Sequence, residues 1–120
     1  ICGFATRCGY PYELAYHVGL AVAAGVTPDE IVAVCEGHIP DSLREDQIAA
    51  LRIVDAVCQG QSLPADLQEA FSSVYGTRGV VELVALCGHY GIMGYIVTSF
   101  DVPIDPEARA RVEAIGVRLP

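Results

Sequence analysis

Between Glu82 and Asp101 the chain runs eighteen residues without a formal charge. That length approaches the ~20 apolar residues that span a bilayer, so the stretch must be either a membrane helix or a helix buried against something apolar. His89 and the glycines at 88, 91 and 94 favour a buried soluble helix, since nothing else in the chain suits a bilayer. Each internal glycine costs ~1 kcal/mol relative to alanine, which calls for a close helix crossing or a small cavity in compensation.

The remaining punctuation points the same way. Gly and Pro cut the 120 residues into helix-length blocks, with no internal repeat and no sustained alternation, so an all-α, single-domain bundle over residues 1–120 is expected. Pro11 opens a first helix that Gly25 stops. Thr27-Pro28-Asp29-Glu30 is a capping box opening a short helix that ends at Gly37, and Ser42-Leu43-Arg44-Glu45 reads as a second. The helix after it should carry an apolar stripe at 48, 51, 54, 57 and 58 and finish near Gly60. A fourth helix runs from Pro64 to Tyr75 and stops at Gly76; the fifth starts after Thr77 and reaches about Phe100. Residues 103–120 form a tail with Pro103, Pro106 and a short Arg-rich helix, expected to wrap the surface or a neighbouring subunit.

Hydrophobic residues make up 52% of the chain and charged ones 18%, more apolar surface than one small domain readily hides, so self-association is expected. The net charge of -8 repels nucleic-acid backbones and anionic lipid. All seven basic residues are Arg; without Lys there is no Schiff base, phosphate-loop lysine or pyridoxal attachment. Five cysteines form no CxxC pair, which reads as a reducing, cytoplasmic compartment with buried thiols. Nothing before Cys8 has the pattern of a secretion signal. Cys35-x-x-His38 and Cys87-x-His89 are too poor a set for structural zinc, so no metal is expected, and no cofactor motif is present.

Chemistry concentrates on one helix. Glu13 and His17 stand four residues apart and project from one face, a carboxylate and an imidazole that can act as an acid–base pair or simply as a surface i,i+4 pair. In the long helix, His89 and Tyr90 sit among the glycines and could face a pocket or pack in the core. Tyr16 and Cys8 lie beside the first helix's pair as candidate substrate contacts, with Tyr90 the third. Cys8 without a resolving partner suits an incidental thiol better than a peroxidatic one.

Tyr12-Glu13-Leu14-Ala15-Tyr16-His17-Val18-Gly19, followed by Gly25-Val26-Thr27-Pro28-Asp29-Glu30-Ile31, resembles the carboxymuconolactone decarboxylase family, with its alkylhydroperoxidase-D-like fold. The resemblance extends over Leu43 to Val57 and over Val81-Glu82-Leu83 with Gly88-His89-Tyr90, covering roughly residues 10 to 102. The peroxidase branch of that superfamily carries Cys-x-x-Cys-x-x-x-His; with its His on His17, Tyr10 and Glu13 stand where its thiols would be. The branch without CxxC is therefore implied, together with a homotrimer or homohexamer and a preceding helix that would fall before Ile1. His89 stands where such relatives carry an aromatic or apolar residue.

The resemblance implies a cofactor-free decarboxylation of a small lactone or keto acid. His17, oriented by Glu13, would move the proton at carbon, and His89 or Tyr90 would hydrogen-bond the enolate oxygen, with Arg7 or Arg52 available for a substrate carboxylate. Two other classes stay open: a peroxidase using Cys8 as a single thiol, and a non-catalytic oligomeric binding protein.

Overall fold

The computed structural model describes residues 1–120 as six helices without a strand: α1 (Cys2–Cys8), α2 (Pro11–Ala23), α3 (Pro28–Cys35), α4 (Glu45–Cys58), α5 (Ala65–Ser99) and α6 (Pro106–Ile115). α1 lies ahead of the first helix read from the sequence. It has no side-chain N-cap, and only its stop is distinctive, at Gly9 with φ 69°.

The punctuation at 27–30 operates as read. Thr27 Oγ1 accepts from Glu30 N at 3.3 Å, and the Glu30 carboxylate accepts from Thr27 N at 2.9 Å. The second box does not form. Ser42 instead donates its hydroxyl to Glu30 at 2.6 Å, and α4 starts three residues later, with Arg44 N donating to the Gln47 side chain at 3.0 Å. Three donors on one carboxylate, Ser42 foremost, hold Glu30 below the usual glutamate range.

A straight helix of 35 residues would be about 52 Å long, more than the 41 Å longest dimension of the molecule. α5 therefore bends, and it does so at Gly76, whose φ of 69° and ψ of 171° belong to no helix. The first limb turns back over α4 through a polar clasp. Asp46 accepts both Arg44 Nε (3.0 Å) and Nη2 (2.9 Å), and the Tyr75 hydroxyl donates to it at 2.8 Å. These donors, Arg44 first, hold the Asp46 carboxyl below the ordinary aspartate range.

The main core joins α1, α2, α3 and α6 to one residue each of α4 and α5, with Leu14, Val18 and Val112 fully buried. The tail is thus core rather than wrapping: Ala108, Val112 and Val117 pack where α2 would otherwise face water. A second cluster, Ala49, Ile53, Phe71 and Val80, joins α4 to α5. The buried line of α4 keeps Val54 of the expected stripe but otherwise runs through Ala49, Ile53 and Ala56, which are more enclosed than Ile48, Leu51 and Val57.

The long helix departs most from expectation. It is long and apolar enough to cross a membrane, with a mean hydropathy of 1.6 over eighteen residues, yet only 22% of that stretch is buried within the chain. What it buries is a narrow seam: Val80, Cys87, Gly94 and Val97 are enclosed, with Leu83 and Tyr90 half-buried between them. The alternating three- and four-residue steps are those of a coiled-coil seam. Leu86, His89, Met93, Ile96 and Phe100 follow the same steps on an exposed face.

Candidate functional site

α2 and α5 bring together three of the sequence candidates. Glu13 sits in the first turn of α2 with its side chain 6% exposed, and His17, one turn later, is 14% exposed. His17 Nδ1 lies 2.7 Å from the Glu13 main-chain carbonyl, which can only accept, so Nδ1 carries the hydrogen and donates it. That leaves the Nε2 lone pair free to accept from the Tyr90 hydroxyl at 2.9 Å. The Glu13 carboxylate stands 3.8 Å from the same Nδ1. The imidazole is thereby held in one tautomer between a backbone acceptor and a phenol donor. The Tyr90 ring meets it edge-on, 4.8 Å between centroids.

His89 is not part of this contact. It is exposed on the outer face of α5, its ring edge-on to Tyr90 at 5.2 Å, because successive residues of a helix point about 100° apart. Tyr16 points away from this contact: its hydroxyl accepts from Asp105 N at 3.4 Å, and its ring lies against Tyr12 at 4.7 Å with the planes tilted by 41°. It anchors the tail. Arg7 is engaged by Asp55 in an ion pair between α1 and α4, and Arg52 is exposed.

Space near the triad is small. An apolar pocket of about 20 Å³, bounded by Phe4, Val54, Cys87 and Tyr90, lies against the phenol and has room for one water. The largest cleft, about 420 Å³, opens elsewhere, between the start of α2, the end of α5 and the tail; Tyr12, Thr98, Asp101 and Arg109 line it. Nowhere do three His, Cys, Asp or Glu side chains converge as a metal would require.

Cys8 belongs to a different cluster. It ends α1, and its sulfur lies 3.7 Å from that of Cys58, which ends α4. Both line a groove of about 260 Å³ with Cys87, Tyr10 and Tyr95. Burial, then the Cys8 sulfur, pushes the Cys58 thiol up to about 12. Burial and Tyr95 likewise push the Tyr10 phenol up to about 12. Cys58 was not singled out in the sequence. It is fifty residues from Cys8, and no local spacing announces the pairing.

Comparison of the chain with protein-family models, curated proteins and solved structures finds no match.

Proposed function

We propose that the chain is the subunit of a cofactor-free lyase similar to the carboxymuconolactone decarboxylases, acting on a small lactone or keto carboxylic acid. The observation that supports this reading is the hydrogen-bonded line from the Glu13 carbonyl through His17 to the Tyr90 hydroxyl. An imidazole of fixed tautomer, sheltered from bulk water, is poised for proton transfer at a carbon atom.

In this reading, loss of carbon dioxide leaves the electron pair on the substrate's conjugated carbonyl as an enolate, and one proton must then reach carbon. His17 delivers it, directly or through the Tyr90 hydroxyl, and regains one from solvent. The Glu13 carboxylate stabilises the imidazolium from which that proton leaves, and the ring is neutral until solvent restores the proton. The Tyr90 hydroxyl, rather than the outward-facing His89, offers the enolate oxygen a hydrogen bond.

The same reading takes the subunit to be part of a homotrimer or homohexamer in the cytoplasm. Its support is the exposed seam of Leu86, Met93, Ile96 and Phe100, which suits a helix of another copy. The test is carbon dioxide release from a panel of lactone and keto acids by the natural chain and by His17→Ala. Turnover that His17→Ala abolishes supports the reading. Equal turnover by the variant removes His17 from the chemistry, and no turnover by the natural chain favours an oligomeric binding protein.

A further inference from the structure

Two half-buried thiols on helices that meet only in the folded chain lie within hydrogen-bonding distance, and a groove leads to them. We propose that Cys8 and Cys58 form a reversible dithiol–disulfide couple, loaded by exchange with a small neutral disulfide, that staples α1 to α4.

The geometry carries it in three respects. The sulfurs are 3.7 Å apart, so each need move only about 0.8 Å to reach the ~2.05 Å of a disulfide bond. Both cysteines are the last residues of their helices, at the boundary of regular structure. The groove beside them is lined by apolar side chains such as Phe4, Val57 and Ile92, and by Gly88 and Gly91, which leave the approach open. Such a lining, on a chain of net charge -8, suits a compact uncharged disulfide better than an anionic one.

The chemistry balances without further reagents. The Cys8 thiolate attacks the disulfide RS–SR, forming a Cys8–S–SR bond and releasing RS⁻, which takes up the proton that Cys8 lost. Cys58 then gives up its proton and attacks the Cys8 sulfur, and the second RS⁻ leaves and is protonated. Two protein thiols are oxidised and one RS–SR is reduced to two RSH. The order follows from the surroundings. Cys58 is held as a thiol by burial and by the neighbouring sulfur, and that second influence disappears once the Cys8 sulfur is bonded and neutral. None of these atoms belongs to the Glu13–His17–Tyr90 line, so the couple stands whether or not the lyase reading does.

The experiment treats the full chain with 2-hydroxyethyl disulfide, alkylates the remaining thiols and maps the cysteine peptides by mass spectrometry. The expected product is a Cys8–Cys58 cross-link, with Cys2, Cys35 and Cys87 alkylated. Dithiothreitol should reverse it, and the oxidised chain should melt several degrees higher, because a loop of fifty residues has been closed. In Cys58→Ser the mixed disulfide should accumulate on Cys8 instead. The proposal is overturned if the natural chain stops at a stable mixed disulfide on Cys8, if the cross-link goes to Cys87, or if neither cysteine reacts while the chain remains folded by circular dichroism.

Discussion

Gly94→Ala should destabilise the protein although it replaces a glycine in a helix interior. Gly94 is a buried position of the inner α5 seam, and the Tyr10 ring lies directly on it. A Cβ at 94 would come within 2.7 Å of Tyr10 Cγ, and closer still to Cδ2 and Cε2, where carbon contacts favour 3.5–4.0 Å. The ring has little freedom to retreat. Its backbone N–H is bonded to the Ala5 carbonyl at 2.8 Å, Pro11 follows it, and Phe4 and Tyr95 flank it at 6.2 and 6.1 Å. Overpacking of this kind costs about 3 kcal/mol at the upper end, and the better helix propensity of alanine returns about 1 kcal/mol. The net loss is about 2 kcal/mol. With an unfolding entropy of ~0.25 kcal/mol/K for a chain of this size, the melting temperature falls by about 8 °C. Thermal unfolding followed by circular dichroism measures it. The decisive comparison is the same change on a Tyr10→Ala background, where the clash is gone and Gly94→Ala should raise the melting temperature. A rise in the natural background as well would refute the close approach.

Other outcomes follow from the same geometry. In nitrogen NMR, neutral His17 should show the Nδ1–H tautomer, and Tyr90→Phe should perturb Nε2 far more than Nδ1; an Nε2–H tautomer would break the proposed line. Thr27→Ala should cost ~1 kcal/mol in urea unfolding by removing the α3 cap, and Ser42→Ala should cost less, since Glu30 keeps its Thr27 donors. Because the Asp46 carboxyl is held below its ordinary range, its clasp contributes fully above the unfolded aspartate pKa and fades as the pH falls through the lower folded one. Asp46→Asn should therefore flatten the acid limb of the stability profile below about pH 4; an unchanged limb would deny the clasp a role. Phe100→Asp should shift sedimentation toward the monomer if the outer α5 seam is a subunit interface.

Helix boundaries fixed by local chemistry were readable. The Thr27 cap and the break at Gly76 need only neighbours three or four residues away, and both stand where the sequence placed them. Where a distant partner decides, reading failed. Ser42 looked like a cap but is taken by Glu30, twelve residues back, and α1 is too short and uncapped to announce itself. An apolar helix reads alike whether its own chain or another surface covers it, so the exposure of α5 was invisible. The Glu13–His17 pair, set by one helical turn, was legible; its completion by Tyr90, 73 residues away, was only a possibility among the glycines.

The packing of α6 against α2 also governs how the chain can be made. Val112 follows Val18 by 94 residues, which at 5–20 residues per second leaves the ribosome about 5 to 20 s to supply it. Throughout that interval a nascent α2 has an apolar flank with no native cover. A chaperone that holds this flank, or a translation rate that shortens the wait, should therefore raise the yield of folded chain.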